Sequence, residues 1–102
     1  MELKERVAVV TGGGAGIGKA LAQAIATEGA RQVVVADLDG DKAVDVAKTV
    51  SGTPKQVDVS NEEEIIDLVD SVEKEHGPIS LFCSNAGFVT TAGLEDTNER
   101  IR

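Results

Sequence analysis

Val7 to Gly18 reads V-A-V-V-T-G-G-G-A-G-I-G, and a second apolar run, V-V-V-A-D, ends at Asp37. The first run enters a glycine-rich turn that opens into a helical pattern. The second ends in a lone carboxylate about 20 residues beyond Gly18, the layout of a dinucleotide-binding βαβ unit. Glycines let the backbone turn tightly and approach a pyrophosphate. The first N–H groups of the following helix lack partners within it, so they are available to phosphate oxygens. A carboxylate at Asp37 can accept both hydroxyls of an adenosine ribose. The competing reading is a nucleoside-triphosphate P-loop, since Gly13 to Lys19 also fits G-x-x-x-x-G-K. That loop needs Ser or Thr after its lysine to ligate magnesium, and Ala20 stands there.

Outward from this unit the pattern alternates strand and helix. Arg6–Val10, Gln32–Ala36, Lys55–Val57 and Ile79–Cys83 read as short buried strands. Ile17, Ala20, Leu21, Ala24 and Ile25 form one helical stripe, and Gly29 is placed to end that helix. Ala43, Val46, Ala47 and Val50 form a second stripe, stopped by Gly52 and Pro54. Ser60 is the expected N-cap of a third helix, with Glu63 as its capping-box partner. Ile65, Leu68, Val69 and Val72 would be that helix's buried face, and Gly77-Pro78 would end it. Phe88–Asp96 reads as loop, and Thr97–Arg102 as the start of another helix. Wholly apolar strands joined by helices predict an α/β, Rossmann-type, doubly wound parallel sheet of about four strands in the order 3-2-1-4. The ligand crevice then lies at the carboxyl ends of strands one and four. Strand four would be left as an unpaired apolar edge, which favours self-association.

Composition narrows the function. The chain has 102 residues, 41% of them apolar, with two phenylalanines as its only aromatics. The core is therefore aliphatic. A net charge of −8 argues against nucleic acid and anionic membrane as partners. Cys83 is the only cysteine, which argues against a disulfide or a cysteine-built metal site, and no metal ligands are assigned. No apolar run approaches a membrane span or a secretory leader, so a cytoplasmic location is expected. His76 reads as a helix-terminal residue, Lys19 as solvated and Cys83 as inert core.

The whole chain resembles the N-terminal part of a short-chain dehydrogenase/reductase. Thr11 to Gly18 matches the family loop T-G-x-x-x-G-[IL]-G, Asp58-Val59 matches its D-V turn after strand three, and Asn85-Ala86-Gly87 matches its N-A-G motif after strand four. The resemblance implies that Gly12 and Gly16 shape the loop while Gly14 and Ile17 approach the pyrophosphate. Gly18 would serve mainly helix–strand packing. Asp37 would hold the ribose, with Leu38 beside it. The Asp58 carboxylate would accept from the adenine amino group, and the Val59 N–H would donate to the ring. Asn85, Ala86 and Gly87 would line the cofactor cleft. Ser84 and Ser80 depart from the family's usual Asn and Asp.

The family's catalytic Ser, Tyr and Lys are a further implication, and none of them matches a position here; the chain has no tyrosine at all. Residues 1–102 are thus expected to be the N-terminal part of a single dinucleotide-binding domain, without catalytic residues or turnover of its own. The complete protein would be an NAD-dependent oxidoreductase acting on an alcohol or carbonyl substrate, and a homo-oligomer. The alternative is a stand-alone, non-catalytic nucleotide-binding or interaction module. NAD is expected over NADP, because Asp37 would repel a 2′-phosphate and neither Leu38 nor Ala15 supplies a cation.

Overall fold

A computed structural model describes residues 4–12, 14, 16–84 and 87–90, with the backbone alone for Ser84 and 87–90. The elements run β1 (Val7–Thr11), α1 (Gly16–Thr27), β2 (Gln32–Asp37), α2 (Gly40–Val50), β3 (Thr53–Gln56), α3 (Glu62–His76), β4 (Ile79–Ser84) and β5 (Gly87–Thr90). The sheet order is β3-β2-β1-β4-β5. β1 pairs in parallel with β2 and β4, and β2 pairs in parallel with β3. The four-strand parallel order 3-2-1-4 is therefore as the sequence predicts.

Period-two alternation along the strands builds two cores. Ala8, Val10, Val33, Val35, Leu81 and Cys83 face one way and pack with Ala22 and Ile25 of α1 and Ala43, Val46 and Ala47 of α2. Val7, Val9, Val34 and Ala36 face the other way and pack with Val57 and with Leu68 and Val72 of α3; Ile79 joins this core across an irregularity in the β1–β4 register, out of step with Leu81 and Cys83. Burying a valine fully contributes roughly 1.5–3 kcal/mol. The central strands, buried on both faces, are thus the main source of cohesion.

Several local expectations are corrected. The first three residues of the stretch expected as loop, Phe88–Asp96, belong instead to β5, which pairs antiparallel with β4, Ser84 opposite Gly87 and Leu81 opposite Thr90. Two residues separate Ser84 from Gly87, the length of a tight hairpin connection, and Phe88, Val89 and Thr90 favour extended backbone. β4 is therefore not the bare edge expected. Residues 91–96 and the helix expected at Thr97–Arg102 lie outside the described residues. Of the expected α1 stripe, Ile25 is buried and Leu21 packs against the core, but Ile17, Ala20 and Ala24 are exposed, and Gly18 and Ala22 are buried instead. Small residues on the buried side let the helix axis come close to the sheet.

β3 begins two residues earlier than expected, and Pro54 lies within it instead of merely terminating α2. β3 is an edge strand, where a missing N–H is tolerated. The cap of α2 is Ser51, in left-handed backbone at φ 53°. Gly52 serves close approach: a Cβ there would lie 2.1 Å from the Val33 carbonyl oxygen. The N-cap of α3 is Asn61, whose side chain accepts from the Glu64 N–H. The cap thus lies one residue later than the expected Ser60, which engages Asp58, and the expected capping box is not formed, since the Glu64 side chain accepts the Asp58 N–H. Among the described residues no helix is long and apolar enough to cross a membrane.

Candidate nucleotide site

At the carboxyl ends of β1, β2 and β3 the chain leaves the sheet in three turns. Gly12 and Gly16 both have positive φ, 66° and 59°, which L side chains rarely adopt. They allow the loop after β1 to reverse into α1. Thr11, buried at the end of β1, donates through Oγ1 to the Cys83 carbonyl over 3.3 Å and fixes this end of β1 to β4.

Asp37 ends β2. Its Oδ2 accepts the Gly14 N–H at 2.9 Å, and its Oδ1 accepts the Asp39 N–H at 2.9 Å. A carboxylate offers about four lone-pair positions, so each oxygen keeps one to share with a ligand hydroxyl. Gly14 has no room for a side chain: a Cβ would lie 2.6 Å from Lys42 Cβ and 2.8 Å from Asp37 Oδ2. Downstream, Asp39 caps α2 by accepting from the Asp41 and Lys42 N–H groups. Gln56 Nε2 donates to the Leu38 carbonyl over 3.1 Å and steadies the turn from the β3 side.

The third turn follows β3. Asp58 Oδ1 accepts from Ser60 Oγ at 2.6 Å and from the Ser60 N–H at 2.9 Å. These bonds, the hydroxyl's first, hold the exposed Asp58 carboxyl below its usual range. Glu64 reaches back from α3 and accepts the Asp58 N–H at 3.0 Å. The turn is thus built from both sides, and its carboxylate is kept ionised.

Gly12, Ile17, Gly18, Asp37, Leu38, Val57, Asp58 and Val59 enclose one cleft of about 420 Å³. Among the described residues five large aliphatics are exposed, and three of them stand here: Ile17 at 81%, Leu38 at 66% and Val59 at 53%. Neither sheet core uses these side chains. A second hollow, about 520 Å³, lies beside the first and is lined by Asp37, Leu38, Asp39, Gly40, Asp41 and Gln56.

Of the residues singled out in the sequence, Gly12, Ile17, Gly18, Asp37, Leu38, Asp58 and Val59 therefore meet. Gly14 joins them through its bond to Asp37, and Gly16 opens α1. Gly87 begins β5, while Gly13, Ala15, Asn85 and Ala86 lie outside the described residues. Val57 was missed, although its place before the Asp-Val pair marks it as the last apolar residue of that run. Ser60 and Glu64 were assigned to the helix cap and first turn, and only their contacts with Asp58 show their part in this turn.

His76, Lys19 and Cys83 stand apart from the cleft. The His76 ring lies 3.3 Å from Thr53 Oγ1, and its carbonyl accepts from the Arg31 guanidinium. Lys19 is exposed on α1. Cys83 is buried, which pushes its thiol pKa up and makes a thiolate harder to form.

Comparison with known proteins agrees with this architecture. The family model for short chain dehydrogenases matches residues 6–101. An NADP-dependent (R)-specific alcohol dehydrogenase of Lentilactobacillus kefiri is 38% identical over 99 residues, covering 93% of this chain and 39% of that protein. A (+)-cis,trans-nepetalactol synthase of Nepeta racemosa is 37% identical over 92 residues, covering 87% of this chain and 34% of that protein. A 3-ketoacyl-(acyl-carrier-protein) reductase from Brucella melitensis, solved with NADH, superposes with a TM-score of 0.74 at 29% identity, over 79% of this chain and 34% of that one. The chain belongs to the short-chain dehydrogenase/reductase family of oxidoreductases. It spans little more than a third of the length of these relatives.

Proposed function

We propose that this chain is the adenosine-binding part of an NAD-dependent short-chain oxidoreductase, whose complete form moves hydride between NAD(H) and an alcohol or carbonyl compound. The observation that carries this reading is the gathering of Ile17, Leu38 and Val59 around a cleft that also holds Asp37 and Asp58. Exposed aliphatics lining the cleft suit the faces of a purine. Asp37 keeps lone pairs for the ribose 2′- and 3′-hydroxyls, and the Asp58 carboxylate and Val59 N–H suit the adenine edge. The turn at Gly12 and Gly16 and the bare Cα of Gly14 leave backbone room for the pyrophosphate. The family resemblance would add Asn85, Ala86 and Gly87 to the cofactor cleft.

Charge supports NAD over NADP. Asp37, Asp39 and Asp41 line the hollow next to the ribose position, and among the described residues no basic one lines either hollow. A 2′-phosphate would meet like charge there. Relatives of both cofactor habits exist, one NADP-dependent by name and one solved with NADH. The preference therefore rests on this chain's own carboxylates. The chain has no tyrosine to serve as the family's general acid/base, so it is assigned binding without turnover.

The test is calorimetric titration of the chain with NAD, ADP-ribose and nicotinamide mononucleotide. ADP-ribose should bind about as well as NAD, and the mononucleotide should not bind measurably. No heat with ADP-ribose at millimolar concentration, or equal binding of the mononucleotide, would overturn the assignment.

A further inference from the structure

Lys42, in the first turn of α2, was not among the residues that the sequence pointed to, and its position changes the charge balance at the ribose. Its Cβ and Asp37 Oδ2 both crowd the same point above Gly14: a Cβ on Gly14 would lie 2.6 Å from one and 2.8 Å from the other. The lysine stem therefore leaves α2 on the glycine-loop side, beside the carboxylate assigned to the ribose. Its backbone N–H is already taken by Asp39, as is that of Asp41. The helix N-terminus thus offers neither group to an anion, and the side-chain ammonium is the positive group at this position. Lys42 is exposed, and no ion pair holds it among the described residues. Its flexible four-carbon stem can swing the ammonium over Asp37 and toward the 2′-oxygen.

We infer that Lys42 is a specificity-determining residue that offsets part of the repulsion from Asp37, so that the site accepts NADP as a weaker second cofactor. This rests on the nucleotide assignment above. An ammonium at the rim would gain a charge-assisted contact with a 2′-phosphate, but would add little for a neutral 2′-hydroxyl. Asp37 sets the preference, and Lys42 limits its size.

The experiment measures affinities for NAD and NADP on the full chain and on Lys42→Met and Lys42→Arg. Lys42→Met should weaken NADP roughly threefold to tenfold, the range of a partly exposed charge pair, and leave NAD within about twofold. Lys42→Arg should retain the unmodified ratio. The Lys42→Met effect should shrink as salt is raised. An unchanged NADP-to-NAD ratio in Lys42→Met, or an equal loss of both cofactors, overturns this inference and leaves the nucleotide assignment standing. Failure of the unmodified chain to bind either cofactor overturns the assignment, and the inference with it.

Discussion

The Gly14 N–H donates to Asp37 Oδ2 over 2.9 Å and so ties the glycine loop to the end of β2. The residue that would read the ribose is also the residue that positions the loop. If Asp37 holds the ribose as proposed, binding and loop order are coupled through one carboxylate.

Gly14→Ala tests this link from the loop side. The new methyl would meet Lys42 Cβ at 2.6 Å and Asp37 Oδ2 at 2.8 Å, so the loop must move outward and the hydrogen bond must lengthen. Overpacking of this kind costs about 1–3 kcal/mol. A fall in melting temperature together with at least tenfold weaker NAD binding is expected. Unaltered affinity by calorimetry would show that loop placement does not matter for binding.

From the other side, Asp37→Ala removes the side-chain acceptors of two backbone N–H groups and the proposed ribose partner together. Loss of a hydrogen bond to a charged group costs roughly 1.5–3 kcal/mol, so NAD should bind about tenfold to a hundredfold more weakly. Asp37→Ser combined with Leu38→Arg should turn the preference toward NADP. The check is the ratio of the two dissociation constants; tight NADP binding by the unmodified protein would count against the role given to Asp37.

Asp58 and Ser60 supply a pH prediction. Ser60 holds the Asp58 carboxyl pKa down in the folded chain. A depressed carboxyl pKa gives stabilisation that is present above the unfolded value and is lost as pH falls through the folded one. The turn should therefore stay intact at neutral pH and loosen below about pH 4. Ser60→Ala should move the Asp58 carboxyl upward toward its ordinary value, as read by carbon-detected NMR titration. No movement would mean that the hydroxyl is not its partner.

Helix capping separates two neighbouring residues. Asn61→Ala removes the acceptor for the Glu64 N–H and should cost about 1 kcal/mol of stability. In urea unfolding Ser60→Ala should cost less, because Ser60 serves the Asp58 turn and not the helix end. The reverse order would restore Ser60 as the cap.

At the far end of α2, Gly52→Ala would bring a Cβ to 2.1 Å from the Val33 carbonyl oxygen, which is backbone and cannot rotate away. β2 or the cap must shift. A loss of about 2–3 kcal/mol is expected in denaturant unfolding, whereas Gly29→Ala would meet no neighbouring atom and would suffer only from its positive φ.

The sequence by itself determined the parallel sheet, its order, and the glycine loop, Asp37 and Asp58-Val59 that the proposed nucleotide site rests on. Wholly apolar strands separated by helical stripes have few other ways to pack, and the loop glycines and Asp37 stand at fixed spacing. Tertiary structure decided what periodicity leaves degenerate. α1 is apolar on most of its circumference, so its pattern fits a stripe through Ile17 as well as one through Gly18, Ala22 and Ile25. Close packing on the sheet selected the small residues and left Ile17 to the cleft. Ser60 and Asn61 are both good caps, and the Asp58 carboxylate settled the choice by engaging Ser60. β5 depends on pairing with β4, a contact between strands that no local pattern states. Lys42 looks like an ordinary solvated helix residue in one dimension. Only the approach of the glycine loop to the start of α2 brings Lys42 Cβ and Asp37 Oδ2 to the same point above Gly14, which lies 28 and 23 residues before them in sequence.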